Sequence, residues 1–162
     1  MRPRLAAAAA AASVAALAAA VLGGASGPAQ AQAARVTSAQ AGLFAPPGNE
    51  ARLFTPSTTL PLQDGQAFGW RITVQTTKKK VLVREELTAP TEPLTWGDPE
   101  PDIKRRTTPD GRTVVTETWL EPDRHGVIFN SWTVTQGDPK GTWVFRLWID
   151  GRPQRPLRLE AR

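Results

Sequence analysis

The sequence predicts an all-β protein, an antiparallel β-sandwich of seven to eight strands, with a small β-barrel as runner-up. Three observations carry this. From residue 66 onward, apolar and polar residues alternate with period two, the pattern of a half-buried strand. The segments are short, evenly spaced and rich in Val, Thr, Trp and Phe, and Gly- or Pro-containing turns separate them. No stretch beyond residue 33 has the apolar spacing of an amphipathic helix.

Residues 1–33 read as a cleaved secretory signal peptide that precedes the fold. Arg2 and Arg4 make a positive start, and residues 5–22 form an apolar, mostly alanine run that favours a helix. Gly23, Gly24 and Pro28 break the run, and "AQAQA" at 29–33 contains two overlapping A-x-A sites. Cleavage is expected after Ala31 or Ala33. The competing reading is a permanent N-terminal anchor, which the A-x-A sites and the weakly hydrophobic alanines disfavour. Export is expected by a Sec-type route to the periplasm or beyond, because Arg2 and Arg4 are not adjacent.

The remaining chain of about 130 residues is one domain by length. It contains no cysteine, so its stability comes from packing. Without Arg2 and Arg4, 18 basic residues stand against 15 acidic ones, a mild excess spread along the chain. That excess suits solubility or an anionic envelope surface.

Residues 34–65 are expected to be an irregular segment docking on the sandwich, with a possible first strand at 36–40. Pro46, Pro47, Pro56 and Pro61 forbid a long helix there, and Leu43, Phe44, Leu53 and Phe54 need something to pack on. The sandwich domain is expected over 66–162. "FGWRITV" at 68–74 places Phe68, Trp70, Ile72 and Val74 on one face. "KKKVLVREEL" at 78–87 is expected to return beside it as a hairpin. In that register Val74 faces Val83, Trp70 faces Leu87 and Arg71 faces Glu86. Glu85 then points inward, opposite Ile72, so it sits either near the sheet rim or beside a buried basic partner.

"TAPTEPLTWGDPEPD" at 88–102 is too proline-rich for a regular element. "IKRRT" at 103–107, the "PDG" turn at 109–111 and "RTVVTETWL" at 112–120 make a second hairpin. After the "EPDRHG" turn come the strands "VIFNSWTV" at 127–134 and "TWVFRLWID" at 142–150, then a "DGR" turn and "PLRLEA" at 156–161. Pairing Val134 with Trp143 brings Trp132 to Phe145, Asn130 to Leu147 and Ile128 to Ile149 on a core face. The opposite face then holds Phe129 beside Trp148, with Arg146 alongside. These three residues are the candidate binding site. Either the 43–44 or 53–54 segment covers this pair, or it is an exposed aromatic patch for a partner or a sugar.

The tail "WTVTQGDPKGTWVFRLWIDG" resembles the closing hairpin of Ig-like β-sandwich domains of secreted bacterial proteins, through Trp132, Gly137, Gly141, Trp143, Phe145, Leu147, Asp150 and Gly151. The resemblance lies mainly in residues 127–162. It implies a fold and a compartment, and it carries no catalytic residue.

Catalytic equipment is sparse. The single histidine, His125, lies in a turn, and Ser38, Ser57 and Ser131 lack the G-x-S-x-G context. Thiol chemistry and Cys-based metal sites are excluded, and there is no phosphate-binding glycine loop. Asp98, Glu100 and Asp102 alternate in a stiff proline loop that lacks the calcium-loop spacing, and they read as a solvated linker. The runs "KKK" and "KRR" are too short to mark a nucleic-acid binder. The expectation is therefore a non-catalytic exported module, with no cofactor or metal, that binds or braces an envelope protein. The alternative is a carbohydrate-binding module that uses an exposed tryptophan. Oligomeric state is not legible.

Overall fold

The structure, a computed structural model, describes residues 33–45, 53–93, 95–98, 101 and 103–162. The signal-peptide reading of residues 1–33 therefore lies almost wholly outside the described residues, as do Pro46, Pro47, Glu100 and Asp102. Among the described residues no helix is long and apolar enough to cross a membrane.

Among the described residues eleven strands follow in chain order: β1 Arg35–Phe44, β2 Phe54–Pro56, β3 Thr59–Leu60, β4 Ala67–Gln75, β5 Val81–Thr88, β6 Lys104–Thr107, β7 Thr113–Leu120, β8 Val127–Thr133, β9 Gly141–Ile149, β10 Arg152–Pro153 and β11 Leu157–Ala161. They form a four-stranded sheet, β2-β1-β4-β8, and a larger sheet, β3-β11-β9-β5-β7-β6, with β10 also on β9. All pairings are antiparallel except β3 with β11. Neither sheet closes into a barrel, so the sandwich reading holds over its runner-up.

The core lies between the sheets. Phe68, Trp70 and Ile72 enter it from β4, and Leu87, Phe145, Leu147 and Ile149 from β5 and β9. The edge of the Trp143 indole meets Phe68 at 5.6 Å between ring centres, a geometry that aromatic pairs favour. Trp70, Trp132 and Trp143 all pack in this core, as the alternation predicts.

Two predicted hairpins are corrected. β4 pairs with β1 and β8, whereas β5 pairs with β7 and β9, so Val74–Val83, Trp70–Leu87 and Arg71–Glu86 are not cross-strand pairs. β8 likewise pairs with β4, and β9 with β5 and β11. Each expected hairpin is instead a connection that crosses from one sheet to the other. The physical reason is common to both. Period two tells which face of a strand is buried, but two strands whose apolar faces meet across a core show the same pattern as two neighbours in one sheet. The hairpin at 103–120 is found as expected: β6 pairs with β7, and Asp110 accepts hydrogen bonds from Thr108 and from the Arg112 amide in the turn.

The possible first strand at 36–40 is found within β1, but the rest of the irregular-segment reading of 34–65 is corrected, since β1 runs on to Phe44 and β2 and β3 follow. β1 is hard to see in sequence because its inward residues are small. Ala41 pairs with Trp70 and Ala39 with Ile72, and the alanines leave room for the larger partners. On the outer face, a Cβ on Gly42 would lie only 2.2 Å from the Thr55 carbonyl and 2.8 Å from the Phe54 ring, so no larger residue fits there.

Candidate functional site

Among the described residues, Glu85 is the most deeply buried polar side chain. It lies mid-strand on β5, between Thr116 and Leu147 in register, and is 1% exposed. It has neither of its expected environments, being neither at the rim nor beside a basic residue. Three neutral donors from the opposite sheet hold it instead. Trp70 Nε1 and Asn130 Nδ2 donate to Oε2 at 2.6 and 2.8 Å, and Trp132 Nε1 donates to Oε1 at 2.6 Å. Burial pushes its carboxyl above the ordinary value, against the opposing pull of the bonds from Asn130, Trp70 and Trp132. Enclosed in this way, Glu85 links the two sheets through hydrogen bonds.

A loop and an edge strand seal this cluster from the side. Trp96 sets its ring edge-on against Trp132 and Trp143, at 5.9 and 6.0 Å, and donates its Nε1–H to the Gly111 carbonyl at 2.8 Å. Arg105, inward-facing on β6, lies over the Trp132 ring at 5.3 Å and donates to the Gly97 and Trp96 carbonyls.

The predicted trio Phe129, Arg146 and Trp148 is not brought together. Phe129 lies on the outer face of the four-stranded sheet, where the Phe44 ring sits 5.6 Å away and Phe54 packs on Phe44 at 5.1 Å. The 43–44 and 53–54 segments thus reach Phe129, one of the two alternatives the sequence left open. Arg146 and Trp148 lie on β9, on the outer face of the larger sheet. The assumed β8–β9 hairpin created the trio, and its separation follows from that correction.

The larger sheet's outer face is exposed and carries paired charges. Register places Arg84 between Glu117 and Trp148, and Glu86 between Val115 and Arg146. The Arg84 guanidinium lies over the Trp148 ring at 4.7 Å and pairs with Glu86, so it bridges ring and acid. Beside them, opposite Leu82, stands Trp119, 59% exposed. On the same face Lys104 and Arg106 on β6, Arg146 on β9 and Arg158 on β11 are exposed, against exposed Glu160 and half-buried Glu86 and Glu117. A depression of about 350 Å³ opens beside Arg84, Lys104, Arg106 and Glu117. Sequence reasoning missed Trp119. The signal was present in "TVVTETWL", whose outward set is Val115, Glu117 and Trp119.

His125 is exposed in its turn, where its amide donates to Asp123 and its Nε2 accepts from Arg124. Asp98 is exposed. Among the described residues no three His, Asp or Glu side chains converge as a metal site would need.

A family model described as the PM0630 beta sandwich domain matches residues 39–162. The crystal structure of an immunoglobulin-like protein from Pseudomonas aeruginosa is similar, with a TM-score of 0.55 and 17% identity, covering 83% of this chain and 100% of that one. No curated protein matches this chain. The structural likeness concerns the fold alone, and it is the immunoglobulin-like sandwich that the C-terminal residues imply.

Proposed function

We propose that this chain, which belongs to the PM0630 beta sandwich domain family, is a non-catalytic exported module that binds an acidic surface of another cell-envelope protein. One observation carries the reading: Trp119 stands 59% exposed on a sheet face with excess arginine and lysine. An exposed indole on a sheet face where cations outnumber acids has the composition of an interface anchor, since Trp and Arg dominate binding hot spots. The flat face itself supplies rigid placement, because every anchor stands on a paired strand.

Export is supported by the charge, alanine run and A-x-A sites of residues 1–33. The compartment is periplasmic or extracellular, without a permanent anchor. The non-catalytic reading is supported by Glu85, a sealed carboxyl, and by His125, which sits in a turn with Asp123 and Arg124. Stacking of a sugar on Trp148 is disfavoured, because Arg84 already covers that ring.

The test is retention of the exported protein on washed envelope membranes. Trp119→Ala and Arg106→Glu each lower retention roughly tenfold, the effect of losing a hot-spot anchor, and added salt weakens the wild type. Retention unchanged by both substitutions and by salt contradicts the reading.

A further inference from the structure

The sequence offers two cleavage positions, after Ala31 and after Ala33, and the structure distinguishes them. Ala34 lies immediately before β1 and is 3% exposed, and its backbone nitrogen stands 3.0 Å from Asp150 Oδ2. Asp150 belongs to the tight turn between β9 and β10, with φ of 49°, and its side chain is 7% exposed. Lys78 Nζ also reaches Oδ2, at 2.8 Å, and the Leu82 amide reaches Oδ1 at 3.1 Å.

We propose that the exported protein begins at Ala34, and that Asp150 is the receptor for the α-ammonium group created there. This rests on the export reading above. A leader peptidase and one water hydrolyse the Ala33–Ala34 bond. The Ala33 carbonyl leaves as a carboxylate with the leader, and the Ala34 nitrogen takes the released proton to become an ammonium. A neutral amide bond to Asp150 thereby becomes a charge-assisted one, roughly twice as strong. Cleavage two residues earlier leaves the nitrogen a neutral amide and creates no such pair.

Asp150 is already disposed to carry charge. Partial burial pushes its carboxyl up, but the Ala34 amide, Lys78 and the Leu82 amide together hold it below the usual range. Because Ala34 is enclosed in the folded sandwich, cleavage has to precede docking of β1, as it does for a chain cut during translocation. Processing and completion of the four-stranded sheet then meet at one ion pair.

The full chain, with its own leader, is exported from a bacterial host, and its N-terminus is read by intact mass and sequencing. Ala34 is the expected first residue. A start at Gln32 overturns this inference and leaves the export reading standing, whereas Met1 in the membrane fraction overturns both. On the exported protein, acylation of the α-amine at neutral pH is then compared between wild type, Asp150→Asn and Lys78→Gln. Asparagine tolerates the left-handed backbone of this turn, so the fold is kept. The α-amine is expected to react roughly tenfold slower in wild type and Lys78→Gln than in Asp150→Asn, as a pKa one unit higher requires. Equal rates in wild type and Asp150→Asn overturn the ion pair.

Discussion

Trp132 Nε1 donates a 2.6 Å hydrogen bond to Glu85 Oε1 from one sheet of the sandwich to the other. Trp70 and Asn130 complete the set, so all three donors come from β4 and β8 and the acceptor from β5. Apolar packing is non-directional, whereas these bonds fix where one sheet sits on the other. Among the described residues no buried side-chain polar atom lacks a partner.

Glu85→Leu should therefore be severe. It orphans three N–H donors, buried Trp70 and half-buried Asn130 and Trp132, each worth about 1–3 kcal/mol, so urea denaturation is expected to show a loss of more than about 3 kcal/mol or no folded protein. Glu85→Gln keeps an acceptor for two donors and turns its amide nitrogen toward the third, and about 1–3 kcal/mol is expected to be lost. Wild-type stability in Glu85→Leu contradicts the clamp.

The pH dependence has a definite sign. Burial raises the Glu85 carboxyl above its ordinary value of 4.5. The folded protein therefore binds this proton more tightly than the unfolded chain. Glu85's contribution to stability is fully present below 4.5 and declines as pH rises toward the folded value. Asp150, held low, acts oppositely: its contribution is present above the ordinary carboxylate value and is lost in acid. Subtracting the Glu85→Gln profile from wild type isolates the first effect. The difference should fall with pH above 4.5, and a difference that rises there contradicts the assignment.

The tryptophans should separate by face. Trp143→Ala is expected to cost about 3–5 kcal/mol, as for other buried aromatics, and Trp132→Ala more still because it removes a Glu85 donor. Trp119→Ala should stay within about 0.5 kcal/mol of wild type. Trp148→Ala loses the Arg84 contact, about 0.5–1 kcal/mol. Thermal melts check all four, and a Trp119→Ala protein that unfolds early contradicts its surface placement.

What the sequence made legible was facing. The inward sets on β4, β8 and β9 follow from alternation alone, and the 109–111 turn and the β9–β10 turn follow from their Pro, Asp and Gly residues. Partners were not legible, because period two is the same for strands that are neighbours and for strands that face each other across a core. That ambiguity produced the false hairpins and the divided Phe129–Arg146–Trp148 site. Glu85 could be seen to point inward, but its donors come from strands 45 and 47 residues away and one 15 residues away, and no local pattern joins them. β1 was legible only in part, at 36–40, because the inward alanines that make room for Trp70 and Ile72 blur its alternation.

The binding face is tested most directly by a photoreactive side chain placed in the exported protein inside living cells. At Leu82, half-buried beside Trp119, it should capture one protein species with an acidic contact peptide, and Trp119→Ala should abolish the product. At Ser131, exposed on the four-stranded sheet, it should capture nothing comparable. Equal products from both positions, a carbohydrate adduct at Leu82, or a Leu82 product that survives Trp119→Ala would contradict the proposed protein-binding face.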